Sequence, residues 1–405
     1  MKSPINVFYF DSKGFSTLYG IGSYRKVLLP ELARSGIINL THVRFSYRDQ
    51  GGVDYRQADS TQDYNTLDII FSLKDFTQYQ IEENYIDGFR ARICITMILQ
   101  ITGLREGIFH LNSSSDQVIA KYAKAAGYRV IGTQHVPFSI AHTTFHFYQE
   151  YLDWSLEKEK RHLAELDGMI CLCPQALRDI QAISPTTFSK IIYNGVSTTR
   201  INKRANRSEA KATLGCSQDD FIFLFSSRLD RLKGLYELID AFTAFAINKR
   251  NVKLIIAGGG DYDTALKRAQ GALGKIIFTG FLDHQKLIRL LEVADVGLLP
   301  SHSEQSSFST LEMLSYGLPM IVTDSSGFEV FENGRDVIKV TGERLPSGDL
   351  TSVHIDSLTG ALEVVYNDAS LRERLGKQGK HLVNTVFSKK LMAESTISFY
   401  QTIAT

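Results

Sequence analysis

The chain has 405 residues, of which 45 are Lys or Arg and 44 are Asp or Glu, and its formal net charge is +1. Proteins that bind nucleic acids carry a strong basic excess, so this balance excludes a nucleic acid as the expected partner. The length exceeds one ordinary hydrophobic core and predicts two domains of roughly 200 residues each.

No signal peptide or membrane span is predicted. The first apolar run, INVFYF, is short and is followed by Asp11, and the apolar stretch ICITMILQI at 93–101 is too short to cross a bilayer. Cys171 and Cys173 fall in one predicted strand and are expected to be reduced and packed, not metal ligands. We therefore expect a cytoplasmic protein. A local basic patch against a membrane surface stays open, because net charge says nothing about its distribution.

Strand and helix patterns alternate along the first half of the chain, which indicates a parallel sheet covered by helices on both faces. Pro30 falls inside the first helix, where it removes an internal hydrogen bond and is expected to kink or break the helix. The predicted strands are 5–10, 107–112, 128–136, 169–173 and 190–196. The predicted helices are 23–36, 116–127, 155–168 and 175–183.

A polar, basic segment at 197–220 lacks a strand and is interpreted as an inter-domain linker with a short helix. A second alternating series follows, which predicts two doubly wound α/β domains in tandem. Its helix at 234–250 places five apolar side chains on one face, and a terminal helix is predicted at 388–404. The second-series strands are 221–227, 252–260, 275–281, 296–300 and 319–324.

Ligands of open α/β sheets bind outside the carboxyl ends of the strands, so the loops at those ends are the candidates for a site. Gly20 and Gly22 precede the first helix, where their amides can approach an anionic group closely. A plain turn is the alternative for these two glycines.

The second series begins with the loop SRLDRLKG, in which Arg228 and Lys233 stand between a strand end and a helix start. Two long cations in that position suit a diphosphate, although two solvated surface charges are the alternative. The Gly258–Gly259–Gly260 run lacks both the dinucleotide-binding spacing and an acid at the end of the next strand. It therefore indicates a tight turn and not a nicotinamide site.

The segment PSHSEQSSFSTLEMLSYGLP at 300–319 follows a buried strand. Ser306 and Ser307 are candidate N-caps of a helix that ends near Gly317. The backbone amide groups of Ser307, Phe308 and Ser309, at the start of this helix, are predicted to bind a phosphate group. Glu304 and Glu312 are too far apart for a shared proton and are expected to accept hydrogen bonds from the hydroxyl groups of one extended ligand. A capping loop plus a solvated glutamate is the alternative.

These motifs resemble family-four retaining glycosyltransferases, the glycosyl transferases of group 1. In the second half the resemblance rests on SRLDRLKG, LIIAGGGD, the Glu304-x7-Glu312 pair and GLPMIVTD. In the first half GIGSYRKVL, VIGTQHVP and IIYNGV match in order and position, so the resemblance covers nearly the whole chain.

The resemblance implies a GT-B fold, in which two Rossmann-like domains face a cleft and the last helix returns to the first domain. The implied domains are 1–197 plus 388–405 on the acceptor side, and 198–387 on the donor side. It also implies a hexosyltransferase-like activity that retains anomeric configuration, uses a UDP- or GDP-type sugar donor, and needs no metal and no cofactor. The reaction would be a step in glycan biosynthesis.

Residue roles follow from the same resemblance. Arg228 and Lys233 would hold the donor diphosphate, with Gly20 and Gly22 near the phosphates on the acceptor side. Glu304 would contact the donor sugar and Glu312 the ribose. His135 would lie near the reacting centre, with a structural histidine as its alternative.

This chain departs from the family pattern at two places. Gln305-Ser306-Ser307 stands where Gly-Phe-Gly is common, and Val136-Pro137 follows His135 where an acid is frequent. By the resemblance, both departures lie in the parts of the site that determine the specificity for the donor sugar and for the acceptor. The acceptor, a glycan, a lipid-linked glycan, a peptide or a small molecule, therefore stays open, as does its contact with the loops 48–65 and 138–151.

Three alternatives remain for the function. They are a sugar phosphorylase or epimerase of the same fold, a non-catalytic protein that binds nucleotide sugars, and a nicotinamide oxidoreductase. The missing dinucleotide fingerprint disfavours the last.

Overall fold

Each of the two α/β units is built around one large β-sheet. The first unit comprises Met1–Asn194 and Lys389–Thr405, and the second comprises Gly195–Ser388. The computed structural model describes a subset of the residues. These are 3–11, 20–49, 52–58, 63–72, 88–112, 118–135, 157, 159–197, 207–345 and 348–405.

The eight-stranded sheet of the first unit has the order β3-β4-β2-β1-β5-β6-β7-β8 and is parallel except at the β3–β4 pair. The order reverses direction between β1 and β5, which is the topological switch point where doubly wound sheets bind ligands. The strands are β1 (Ile5–Asp11), β2 (Ile38–Arg48), β3 (Asp54–Ala58), β4 (Asn65–Ser72), β5 (Ile108–Leu111), β6 (Arg129–Gln134), β7 (Gly168–Cys171) and β8 (Ser189–Ile191).

The strands β2, β3 and β4 are absent from the sequence-based prediction. β3 lies within 48–65, which was expected to be an acceptor loop, and its residues 54–57 are exposed. An exposed edge strand has no alternation between apolar and polar residues, so its sequence carries no burial signal. The segment 138–151 lies outside the described residues.

Four helices of the first unit are labelled here in chain order. They are α1 (Gly20–Arg34), α2 (Gly88–Thr102), α3 (Val118–Ala125) and α4 (Pro174–Ile183). Of the expected kink or break at Pro30, the break is wrong, because α1 continues through Pro30 to Arg34. The proline removes one hydrogen bond, whereas Leu28, Leu29 and Leu32 are fully buried and hold the helix in place.

The two neighbouring cysteines do not share one strand. β7 ends at Cys171, and Cys173 is the N-cap of α4, where its sulfur accepts a hydrogen bond from the Ala176 amide at 3.4 Å. All four cysteines, the other two being Cys94 and Cys216, are buried and form no disulfide.

The six-stranded sheet of the second unit is fully parallel, with the order β11-β10-β9-β12-β13-β14. Its switch point lies between β9 and β12. The strands are β9 (Phe221–Ser226), β10 (Val252–Ala257), β11 (Ile276–Gly280), β12 (Val296–Leu299), β13 (Met320–Thr323) and β14 (Ile338–Val340). A separate antiparallel hairpin follows, formed by β15 (Gly342–Arg344) and β16 (Leu350–Val353).

Seven labelled helices belong to the second unit. They are α5 (Arg207–Thr213), α6 (Leu235–Ala246), α7 (Tyr262–Arg268), α8 (His284–Val293), α9 (Phe308–Ser315), α10 (Ile355–Asn367) and α11 (Ala369–Thr385). The predicted apolar face of α6 is confirmed, since all five of its members are buried: Leu235, Leu238, Ile239, Phe242 and Phe245. Of the predicted linker, 198–206 lie outside the described residues, and α5 is its short helix.

The last helix, α12 (Lys389–Ala404), belongs to the first unit although it follows the second in sequence. The Tyr400 hydroxyl lies 2.6 Å from Nδ1 of His110, and Phe399 stacks on Phe188 with ring centroids 5.2 Å apart. Within the described part of the chain, no helix is both long and apolar enough to span a bilayer.

Candidate functional site

The loop after β9 carries both predicted cations and is built around a short 3-10 turn at Arg231–Lys233. Asp230 is the N-cap of this turn, and its carboxylate accepts a hydrogen bond from the Lys233 amide at 3.0 Å. Gly234 ends the turn with φ 66°, a left-handed conformation that glycine adopts without strain. The turn thus places the Lys233 side chain at the carboxyl edge of the sheet.

The loops after β9 and β12 lie against each other at the switch point. A Cβ atom on Gly234 would lie 1.9 Å from the carbonyl oxygen of Pro300, so only glycine permits this approach. The amide of His302 donates to the carbonyl of Leu232 at 2.8 Å. Residues that are about 70 positions apart in sequence therefore share one end of the sheet.

Lys233 and Glu304 form an ion pair in this shared region. The distance from Lys233 Nζ to Glu304 Oε1 is 2.6 Å, and the side chains are 17% and 11% exposed. The hydroxyl of Ser301 donates to the same oxygen at 2.9 Å. The structure therefore brings together Lys233, which is predicted to bind the diphosphate, and Glu304, which is predicted to bind the sugar.

Arg228 lies on the same loop but contacts neither of these two residues through a recorded ion pair. Its guanidinium pairs with Asp230 at 3.3 Å, and its side chain is 52% exposed. An exposed pair of this kind contributes little to stability. The Arg228 guanidinium is accordingly available to a ligand at small cost.

The start of α9 lies beside the loop after β9. Ser307 is the N-cap, as predicted, and its hydroxyl accepts a hydrogen bond from the Thr310 amide at 3.3 Å. The hydroxyl of Ser309 donates to the carbonyl of Ser226, the last residue of β9. The first amide groups of α9, beginning with Phe308, thus lie at the switch point with their partial positive charge.

Glu312 lies within α9 and has no recorded hydrogen bond to its carboxyl group in the described part of the chain. Burial raises the pKa of this group from 4.5 to about 7. The alternative of a solvated glutamate does not fit this position, because a solvated carboxyl keeps its ordinary pKa.

The three glycines after β10 form the tight turn that their sequence indicated. Cβ atoms on Gly258 and Gly260 would lie 1.8 Å from the carbonyl oxygen of Ser227 and 2.4 Å from that of Leu229. Both residues have positive φ, 145° and 146°. These glycines therefore allow the turn after β10 to pack closely against the loop after β9.

The remaining predicted site residues lie in the first unit, near its own switch point. Gly20 and Gly22 are inside the first turn of α1, not before it, because the helix begins at Gly20. His135 follows the last residue of β6 and packs edge-on against Tyr24, with ring centroids 4.8 Å apart. Burial lowers the pKa of His135 to about 3, so the ring is neutral at physiological pH.

A buried polar layer beneath His135 was not anticipated from the sequence. Thr133 Oγ1 lies 2.6 Å from His110 Nε2 and 3.4 Å from the Tyr24 hydroxyl. At the end of β1, Asp11 forms an ion pair with Arg25 of α1 at 2.7 Å. Polar residues inside strands carry no sequence signal that they will meet, because the meeting depends on sheet order.

The site of the second unit also contains residues that the sequence reasoning missed. Asp230 could have been recognised as a capping residue from its place before a turn. Ser301 and His302 carry no such signal. His302 is buried, and its Nε2 lies 3.0 Å from Glu237 Oε1, which connects the loop after β12 to α6.

Residues 206–382 match the family model described as "Glycosyl transferases group 1". The matched range contains every predicted site residue of the second unit.

Residues 206–382 are therefore similar to the glycosyl transferases of group 1.

The curated relatives of this chain are distant. Over 225 residues the chain is 28% identical to an uncharacterized glycosyltransferase of Methanocaldococcus jannaschii, a match that covers 54% of this chain and 55% of that protein. The chain spans about half the length of that relative.

Solved structures match both units. Sucrose-phosphate synthase from Thermosynechococcus elongatus aligns with a TM-score of 0.76 at 17% identity, covering 98% of this chain and 99% of that one. Anabaena HepE in complex with UDP-glucose aligns with a TM-score of 0.72 at 15% identity and covers 98% and 99%. The fold of the chain is therefore the GT-B fold, with two Rossmann-like α/β units.

Proposed function

We propose that the protein is a retaining glycosyltransferase that moves a sugar from a UDP- or GDP-type donor to an acceptor without a metal ion. The observation that carries this proposal is the Lys233–Glu304 pair at the switch point of a unit that is similar to the glycosyl transferases of group 1. At this edge of the sheet the cation can bind the diphosphate of a nucleotide sugar, and the carboxylate can accept hydrogen bonds from the hydroxyl groups of its sugar ring. HepE in complex with UDP-glucose supports a nucleotide-sugar ligand for this fold.

In the proposed reaction the departing diphosphate accumulates negative charge. Lys233, Arg228 and the amides at the start of α9 would stabilise that charge as it develops. Gly20 and Gly22 would contact the donor phosphates. The charge of the two cations takes the part that a metal ion plays in other transferases.

Glu304 would accept a hydrogen bond from a hydroxyl of the donor sugar, and Glu312 from the ribose. His135, a neutral imidazole with its Nε2 buried and unpartnered among the described residues, would contact the transferred sugar near the reacting carbon. No residue is assigned as a nucleophile. The acceptor is a hydroxyl-bearing molecule, either a glycan, a lipid-linked glycan, a peptide or a small molecule, and a cytoplasmic location with peripheral membrane contact suits it.

The test is a panel of nucleotide sugars that includes UDP-glucose and GDP-mannose. Binding is measured by calorimetry, turnover by release of nucleoside diphosphate, and the anomeric configuration of the product by NMR. Lys233→Ala and Glu304→Ala are each expected to weaken donor binding about tenfold or more, because each removes a hydrogen bond to a charged group.

The matched control is Lys249→Ala, which breaks a comparable ion pair, Lys249–Glu363 at 2.5 Å, away from the site. This variant should bind donors as the unmodified protein does. Donor binding without turnover would indicate a binding protein, and turnover that requires inorganic phosphate would indicate a phosphorylase. Unchanged transfer by both site variants would show that the site assignment is wrong.

A further inference from the structure

The carboxylate of Glu304 is held through only one of its two oxygens. Lys233 Nζ and the hydroxyl of Ser301 both donate to Oε1, at 2.6 and 2.9 Å. Oε2 has no recorded hydrogen bond to any described residue. The group is therefore oriented from the protein side, with its second oxygen available for a ligand.

Ser301 is itself anchored by the neighbouring strand. Its side chain and main chain are fully buried, and its carbonyl oxygen accepts a hydrogen bond from the hydroxyl of Thr323 at 2.6 Å. The Ser325 hydroxyl lies 2.9 Å from the Thr323 hydroxyl and donates to the Ser301 carbonyl at 3.5 Å. Thr323 and Ser325 are also fully buried. The end of β13 thus fixes Ser301, which in turn fixes Glu304.

The main chain of Glu304 lies close to the same segment. A Cβ atom on Gly327 would lie 2.0 Å from the Glu304 carbonyl oxygen. Gly327 follows Ser325 by two residues in the short turn at Ser326–Phe328. The backbone of Glu304 therefore packs against the segment after β13, and its side chain is connected to that segment through Ser301.

We propose that Ser301, held by Thr323 and Ser325, is a positioning residue that presents Glu304 Oε2 to a hydroxyl group of the donor sugar. This inference rests on the proposed function and adds to it the residue that orients the sugar contact. A buried hydroxyl group has one proton to donate. The Ser301 hydroxyl donates that proton to the Glu304 carboxylate and not to a main-chain carbonyl. Ser301 therefore affects the residue that contacts the ligand as well as the stability of the fold.

Orientation of this kind has a specific energetic consequence. A carboxylate with a fixed rotamer loses little conformational freedom when it accepts a hydrogen bond from a ligand, whereas a free one loses more. Removal of the Ser301 hydroxyl should therefore weaken the contact with the sugar ring. It should leave the contacts with the nucleoside diphosphate as they are, because those belong to other residues.

The experiment compares two ligands for each variant of the full chain. Affinities for UDP-glucose and GDP-mannose, and for UDP and GDP alone, are measured by calorimetry. Ser301→Ala is expected to weaken binding of the preferred nucleotide sugar about tenfold and to leave binding of the matching nucleoside diphosphate unchanged. Thr323→Val should also weaken binding of the nucleotide sugar alone, by a smaller factor. If Ser301→Ala does not fold, Thr323→Val is the variant that tests the inference.

Two buried hydroxyl groups of the first unit serve as matched controls. Ser184→Ala removes a hydroxyl that lies 2.8 Å from Thr187 Oγ1, and Thr396→Val removes one that donates to the Met392 carbonyl at 2.8 Å. Both controls should keep the affinities of the unmodified protein for the two kinds of ligand.

A double-substitution cycle separates positioning from general damage. In a Glu304→Ala background, Ser301→Ala should cause no further loss of nucleotide-sugar affinity, because its effect passes through Glu304. An equal loss for nucleoside diphosphate and nucleotide sugar, a full further loss in the Glu304→Ala background, or no loss in a folded Ser301→Ala protein would each overturn the inference. In those three cases donor binding by the unmodified protein would still support the proposed function. Absence of binding to any nucleotide sugar would instead overturn both.

Discussion

Glu312 shows how one residue responds to its place in a helix. It lies in the fifth position of α9, among neighbours that are buried, and burial raises its pKa to about 7. Near neutral pH the carboxyl group is therefore divided between its two protonation states. Only the ionised state offers both oxygens as acceptors to the hydroxyl groups of a ribose.

The raised pKa predicts a pH-dependent difference in stability. Between pH 4.5 and pH 7 the folded protein keeps a proton on Glu312 that the unfolded chain has released, so stability falls as the pH rises through this window. Glu312→Gln removes this dependence. Its free energy of unfolding relative to the unmodified protein should rise by about 3 kcal/mol between pH 4.5 and pH 8.

Urea unfolding of both proteins at the two pH values measures this difference. Glu394→Gln, a substitution of a glutamate whose side chain is 55% exposed, is the control and should show no such trend. A difference between Glu312→Gln and the unmodified protein that stays constant with pH would contradict the shift in pKa.

At the scale of elements, the site depends on how closely the loops after β9 and β12 approach each other. Gly234 allows this approach, since any side chain there would collide with the Pro300 carbonyl. The same residue ends the turn that carries Lys233 and begins α6. A change at Gly234 therefore acts on the Lys233–Glu304 pair through the backbone.

Gly234→Ala is predicted to be more destabilising than its backbone conformation alone explains. Gly215 has nearly the same φ, 69° against 66°, and its Cβ would meet no atom within 4 Å. Gly215→Ala should cost about 1–2 kcal/mol for the left-handed conformation alone. Gly234→Ala should cost about 1–3 kcal/mol more, because it also forces overpacking against Pro300.

Chemical unfolding of the two variants gives both numbers, and calorimetry gives donor affinity. Only Gly234→Ala is expected to weaken donor binding as well. Equal destabilisation of the two variants would show that the approach to Pro300 is not what requires glycine at position 234.

The prediction from sequence worked well for these elements. The strands β9 to β13, the helix α6 and the N-cap at Ser307 follow from local patterns of apolar residues and from capping chemistry. The hairpin β15–β16 was not predicted from the sequence. Its strands are three and four residues long and carry no periodic pattern, although the Leu350 amide donates to the His302 carbonyl at 2.8 Å and so braces the site.

At the scale of the whole molecule, the chain returns to its first unit after completing the second. The apolar face of α12 packs there, and the ring of Phe399 would lie only 2.8 Å from a Cβ atom on Gly168 at the start of β7. Lys389 pairs with Glu31 of α1 at 3.0 Å. The stability of the first unit thus depends on the last residues of the chain.

Phe399→Ala is expected to destabilise the first unit by about 3–5 kcal/mol, the usual cost of removing a buried phenyl ring. Ser398→Ala changes the exposed neighbour on the same helix and should leave stability within about 0.5 kcal/mol. Scanning calorimetry with separate fitting of two transitions measures both. A shift of both transitions, or of neither, by Phe399→Ala would contradict the assignment of α12 to the first unit.

The sequence by itself determined the alternation of strands and helices, the tight glycine turn after β10 and the helix start beside Glu304. Each of these depends on residues that are neighbours along the chain. The motifs also identified Lys233 and Glu304 separately. Only the tertiary structure decided that they form an ion pair, that Ser301 orients Glu304, and that burial raises the pKa of Glu312. The reason is that strand order and loop contacts bring together residues far apart in sequence, and local patterns do not encode those distances.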